Sequence, residues 1–363
     1  MTERVSPAPR PRPRRPLKPK PRLAPAPAAP AVDSAAIKAL RASLPGAGWR
    51  VVAAKEFGDH LLSVRFIVLL LVLGLAAAIP LYFAAGQIRA VAPAASGAAA
   101  VFLALFTLGS QDIAILRVDA FVGIVAPLLG LAFAFDSVNG ERSEGTLPRL
   151  LAQPIHRDDV INGKFAAGMA VIGLVLVSVI VLIAGFGMLR LGVVPRPPEL
   201  VRLIAWVGVT FLYVAVWLAF GLLLSVLVRR AATAALIGFG VWLLVTIFGQ
   251  LITTLIAGVL TPAVDATPDS ILGTIQLQQL ITRLLPSTLY GEISVVLLNP
   301  TVTQVSTPAT IGQFQQAQQQ IPALFSLDQS LLLVWPHVVA LTALTVVCFV
   351  GAYIAFMRQE VRA

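Results

Sequence analysis

The chain has 363 residues, of which 58% are apolar and only 12% charged, with a mean hydropathy of +0.87. A soluble globular chain is about half apolar and about a quarter charged, so the composition excludes a cytosolic enzyme and a disordered protein and indicates a protein embedded in a bilayer. The single cysteine, Cys348, excludes an intramolecular disulfide framework and a multi-cysteine metal site.

The formal net charge of +10 is unevenly spread. Residues 1–32 hold eight Lys or Arg against one Glu, interleaved with ten Pro. Residues 1–33 therefore read as a disordered, extended, basic tail on the cytoplasmic side, close to anionic lipid, and not as a nucleic-acid-binding face. They show no apolar core of the kind a signal peptide needs. Residues 34–63 read as helix with one break at Leu44-Pro45-Gly46. In its second part Trp49, Ala53, Phe57 and Leu61 recur every four residues, with Lys55, Glu56 and Asp59 roughly opposite. That pattern suits an interfacial helix lying in the headgroup plane.

Crossing a bilayer takes about 20 apolar residues, and six runs reach that length: 64–85, 119–137, 165–189, 203–228, 232–260 and 331–356. The shorter run Ala98–Leu108 is expected to be interfacial. With the N-terminus inside, the inner segments carry 21 Lys or Arg and the outer segments six, which favours both termini in the cytoplasm. The expected fold is an all-α polytopic membrane protein. Six transmembrane helices occupy 64–363, preceded by the N-terminal interfacial helix and interrupted by a cytoplasmic loop at 138–164. The extracytoplasmic segment 261–330 contains an apolar helical stretch, Ile271–Leu285, expected on the outer leaflet. Its Gln-rich run, Gln313–Gln320, reads as a polar helix or connector, with a substrate-contacting lid as the alternative.

Ion-driven carriers place Asp, Glu, His or Lys at membrane depth. Here Asp119 and Asp136 fall at the ends of the second run and His337 near the outer end of the last, with no acid near the middle of any run. Enzyme signatures are equally thin. His60, His156 and His337 lie in different segments, no Ser occupies a G-x-S-x-G elbow, and Gly163-Lys164 lacks the upstream Gly and following hydroxyl of a phosphate loop. Energy for any transport is therefore expected from a partner. Two rival classes stay open: a polytopic membrane enzyme acting on lipid-linked substrates, with Asp112 and Asp119 as its nearest acids, and a non-transporting membrane scaffold or sensor.

The densest charge outside the tail lies in the loop between the second and third runs. Thr146 is placed to cap a helix opened by Leu147 and Pro148. Leu147, Leu150 and Leu151 share one face of it, and Pro154 ends it after about two turns. Arg157-Asp158-Asp159 restart the chain toward the third run, with acids at the helix N-terminus. Such a stub is either a charged inner loop or a docking element whose apolar knobs enter a groove on a cytoplasmic partner. In the fifth run, Thr246, Gln250, Thr253 and Thr254 are spaced for one helical face. They are translocation-path candidates, with helix–helix hydrogen bonding as the other reading.

The loop segment Phe135-Asp136…Asn139-Gly-Glu-Arg…Glu144-Gly-Thr-Leu…Leu150-Leu…Pro154…Arg157…Gly163-Lys164-Phe resembles the inner-loop signature of permease subunits of ATP-binding-cassette (ABC) transporters of the type-2 export class. Lys55-Glu56-Phe57 resembles their connecting helix. Leu285-Pro286…Leu289-Tyr290 and the ending Phe356-Met-Arg-Gln-Glu360-Val-Arg362 are similar to the branch of the nitrous-oxide-reductase maturation permease. The resemblance covers roughly residues 50–363. It implies an ATP-driven exporter in the bacterial plasma membrane, built from two permease chains, as a homodimer, and two ABC ATPase subunits. ATP and Mg would bind in the ATPase, and this chain would hold no cofactor. By that analogy Glu141, Arg142, Glu144, Gly145, Thr146, Leu147, Leu150, Leu151, Pro154 and Arg157 form the ATPase-coupling region. Glu56 would belong to the connecting helix beside it, and none of these residues would be catalytic.

Overall fold

In lipid, an apolar run can satisfy its backbone polar groups only within a helix or a closed barrel, and every regular element among the described residues is helical. A computed structural model describes residues 48–91, 102–107, 117–148, 155–261, 268–302 and 325–359. The basic tail, the Gln-rich run and Asp112 lie outside these residues. The helices in chain order are α1 (Gly48–Leu61), α2 (Val64–Val91), α3 (Ala104–Thr107), α4 (Val118–Ala134), α5 (Asn139–Ser143), α6 (Arg157–Leu191), α7 (Pro197–Leu227), α8 (Ala231–Trp242), α9 (Gly249–Leu260), α10 (Pro268–Thr282), α11 (Pro286–Leu298) and α12 (Leu327–Arg358). A π-helical turn, Leu243–Ile247, joins α8 to α9.

Four stretches are long and apolar enough to cross a membrane unaided: Val118–Ser143, Arg157–Leu191, Pro197–Leu227 and Leu327–Arg358. Three pairs reach that length only across a bend: α1 with the first part of α2 at 67°, α8–α9 at 64°, and α10–α11 at 98°. The candidates among the described residues thus range from four to seven. The runs expected at 165–189 and 331–356 lie inside α6 and α12, 203–228 ends one residue past α7, and 64–85 lies inside α2. The run at 232–260 is broken at the π-helical turn.

Helix α7 forms the centre, burying Trp206, Tyr213 and Trp217 between α4, α6, α11 and α12. Where α4 crosses it, a Cβ on Gly130 would come within 2.8 Å of the Val214 carbonyl oxygen and the Leu218 nitrogen. Only glycine permits so close a backbone approach. Helix α11 is threaded into this core. Tyr290 stacks on Tyr213 with ring centroids 4.5 Å apart, and Trp206 Nε1 donates to Ser294 Oγ at 2.9 Å. Part of the segment 261–330 is therefore packed inside the bundle. The described part of 98–108 is buried too: Phe102, Leu103, Leu105 and Phe106 are fully enclosed, with Phe106 against Trp206. Its large side chains fill the gap beside Trp206 and over Gly187.

Helix α10 runs back along α9. Thr282 Oγ1 donates to Thr253 Oγ1 at 3.0 Å, Gln278 Nε2 to Thr254 Oγ1 at 2.8 Å, and Thr261 Oγ1 to Thr274 Oγ1 at 2.8 Å. The start of α12 is fastened by Arg202 of α7, which donates to the Leu297 carbonyl at 3.3 Å, to Ser330 Oγ at 3.1 Å and to the Phe325 carbonyl. Below, this is the far end of the bundle. The end holding Asp136, Glu141, Lys164 and Gln359 is the charged end.

Candidate functional site

At the charged end, α6 begins with a shared cap. Asp159, the third residue of α6, accepts from the His156 amide at 3.0 Å through Oδ2 and from the Trp49 amide at 3.0 Å through Oδ1. One carboxylate thus satisfies otherwise orphaned donors of two helices. It also seats α1 on α6. The contact is tight: a Cβ on Gly163 would lie 2.6 Å from Val52 Cβ and 2.8 Å from the Trp49 carbonyl oxygen.

That seating brings Glu56 to Lys164. Lys164 Nζ lies 3.0 Å from Glu56 Oε1 and 2.7 Å from Glu141 Oε1 of α5. The Lys164 side chain is only 2% exposed. A buried ammonium is tolerated only when paired and hydrogen-bonded, so this triad pins α1, α5 and α6 together. On α1 the residues buried against the protein are Val52 and Glu56, while Trp49 is 37% exposed.

Around the triad, Lys55 pairs with Asp59 at 3.1 Å and Arg65 with Asp136. With Glu144 and Thr146 these residues border an open polar cleft of about 560 Å³. Burial works to lower the Lys55 pKa, but its bond to Asp59 and the charge of Glu56 lift it above the ordinary value. Burial pushes the His60 imidazole below its ordinary value, ahead of the opposing pull of Glu56, and the ring sits edge-on to Phe133 at 5.2 Å.

The entry to the loop is fixed by its backbone. Ser225 Oγ accepts from the Val138 and Asn139 amides at 3.0 and 3.2 Å. Gly145 closes α5 in the left-handed region at φ +69°. The Thr146 hydroxyl donates to the Glu141 carbonyl at 3.2 Å, and helix resumes at Leu147 and Pro148. Leu147 is buried within the chain itself. Leu150, Leu151 and Pro154, with most of the stub expected over Thr146–Gln153, lie outside the described residues. The two arginines flanking the stub meet at one place. Arg142 donates to Gln359 Oε1, and Arg157 donates to the Gln359 carbonyl at 3.0 Å. Gln359 Nε2 in turn donates to the Val226 carbonyl at 2.7 Å.

Among the sequence-derived site residues, Glu56, Glu141, Glu144 and Thr146 thus border one cleft, and Arg142 and Arg157 share Gln359. The four path candidates lie elsewhere, toward α10. Thr253 and Thr254 are engaged with Thr282 and Gln278, the Gln250 carbonyl accepts from both threonines, and Thr246 Oγ1 is buried with no hydrogen bond. Asp159 takes the helix N-terminal place expected of it, whereas sequence reasoning did not single out Lys164, Ser225 or Gln359 by role. A usable signal existed for Lys164, the one Lys at the entry of a long apolar helix.

The sequence pattern of the ABC-2 family transporter proteins matches residues 50–361. The chain belongs to this family. Glu56, Glu141, Arg157, Lys164 and Gln359 all fall within the match, and membership makes the chain a multi-pass membrane component of an ABC transporter. Among its relatives is the probable ABC transporter permease protein NosY of Stutzerimonas stutzeri, 32% identical over 206 residues, which cover 55% of this chain and 67% of the relative. The protein of the same name from Pseudomonas aeruginosa is 29% identical over 152 residues, covering 40% of this chain and 52% of that relative. The chain therefore spans about half the length of this second relative.

Proposed function

We propose that this ABC-2 family chain is the permease subunit of an ATP-driven exporter. The charged end docks on a separate ATPase, and two copies of the chain form the path. Both termini then lie in the cytoplasm, as the distribution of Lys and Arg favours. The observation that carries the reading is the Lys164 triad. It joins the helix that follows the N-terminal segment to the turn that leads into the stub, so displacement of either is felt by α6. ATP binding in the partner shifts the permease between two states only through different contacts in each, and a buried, discrete clasp supplies such contacts. The names of the two relatives agree with a permease role.

Co-expression with a candidate ABC ATPase subunit tests the reading. The chain is expected to carry that ATPase through purification. The double substitution Leu150→Asp and Leu151→Asp is expected to abolish association while membrane insertion is retained. Undiminished association would remove the stub from the docking role.

A further inference from the structure

We propose that Gln359 is a positioning residue that ties the inner loop to the last helix, so that displacement of the loop is delivered to α12 as well as to α6. The inference rests on the ATPase-docking reading. The residues just before and just after the stub, Arg142 and Arg157, both end on Gln359, one on its side-chain oxygen and the other on its main-chain oxygen. Gln359 is the residue at which α12 stops: its backbone is extended and its amide still bonds back to Phe356. Its carbonyl is thus one of the orphan acceptors of a helix C-terminus, where a cation is favoured. The remaining side-chain donor is anchored on the Val226 carbonyl at the end of α7.

This places four elements on one residue: α5, the start of α6, the end of α7 and the end of α12. A load applied between Arg142 and Arg157 has two routes into the bundle. One runs directly along α6. The other runs through Gln359 into α12, which packs along α7 and is fastened at the far end by Arg202. The acceptor is neutral although both donors are guanidinium groups. Bonds with only one charged partner are weaker than an ion pair, which suits a joint that must re-form in each of two states.

The test uses the full chain in nanodiscs with its ATPase bound, in a Cys348→Ser background diluted with unlabelled chain. Nitroxide pairs at Ser143→Cys with Leu236→Cys and at Val350→Cys with Leu236→Cys report the loop and α12 separately. All three positions are exposed. Between the nucleotide-free and vanadate-trapped forms, both distances shift in the parent. With Gln359→Ala the loop pair still shifts, and the α12 pair loses more than half of its shift. The main-chain acceptor for Arg157 survives in both variants, and Gln359→Glu also keeps the side-chain acceptor for Arg142 while giving up the bond to Val226, so it restores the α12 shift. An unaltered α12 shift in Gln359→Ala overturns the proposal, as does loss of both shifts together, which marks a packing residue of the loop. Hydrogen exchange on the chain alone separates this from the docking reading. Gln359→Ala is expected to raise exchange several-fold at both 139–148 and 355–359. Unchanged exchange there sinks the joint even if the ATPase docks as proposed, whereas a wild-type chain that never retains an ATPase sinks the docking reading.

Discussion

Removing one member of a buried ion triad leaves charge without solvent to receive it. Lys164→Met leaves Glu56 and Glu141 facing each other across α1 and α5, at a cost of about 3–5 kcal/mol. The expected outcome is a clear fall in the thermal unfolding midpoint in detergent, larger than for Lys55→Met, whose side chain is 60% exposed. An equal effect of the two substitutions would place the Lys164 charge outside the clasp. His60 adds a dependence on pH. Its pKa is lowered in the folded chain by burial, so the undocked helix takes a proton more readily than the docked one. Docking of α1 is then intact above the ordinary imidazole value of about 6.5 and weakens as pH falls below it. Opening of 48–61, read as hydrogen exchange corrected for the slower chemical exchange at lower pH, should rise between about pH 7.5 and about pH 5.5, on either side of that value. His60→Gln should flatten the rise, and an equally steep rise in that variant would assign the effect to the surrounding carboxylates.

At the scale of elements, the crossing of α1 over α6 depends on the absence of a side chain at Gly163. Gly163→Leu is expected to lift α1 from its seat, exposing Val52 and breaking the Lys164–Glu56 bond while α6 stays helical. Faster exchange confined to 48–61 would show this; protection unchanged there would mean that α1 is held some other way. Sequence periodicity found α1, but the seat of Val52 and Glu56 is set by Gly163 and Lys164 of α6, more than a hundred residues away. The long apolar helices were legible because length and hydropathy alone define them. Helix α11 was not. Its 13 residues are too few for a span and include Glu292, and only the partners of Tyr290 and Ser294 on α7 reveal it as core. His337, placed by sequence apart from the other histidines, is brought to 2.6 Å from Glu292 by the same packing.

Across the whole molecule, polarity is gathered at the two ends and the centre is close-packed aromatic and aliphatic surface. The charged end was legible as a region because its residues are close in sequence. Its internal wiring was not, since the bonds to Glu56, Ser225 and Gln359 span separations that no local pattern encodes. At the far end Arg202 bonds neutral oxygens of Leu297, Ser330 and Phe325, alongside the ion pair of Arg117 with Asp119. On the proposed reading, the ATPase therefore acts on a clasp of ion pairs, and the opposite end answers through helices already braced against each other. The stub substitutions at Leu150 and Leu151 test the first half of that statement and Gln359→Ala the second.

The interruption at Leu243–Ile247 gives the fifth apolar run two sets of neighbours. Helix α8 lies against α4 and α7, whereas α9 lies against α10. A π-helical turn inserts a surplus residue into the backbone ladder and commonly marks a place where a helix yields. On the proposed reading, torque arriving through α4 and α7 would turn at this bend, and α9 with its zipped companion α10 would move as a single flap.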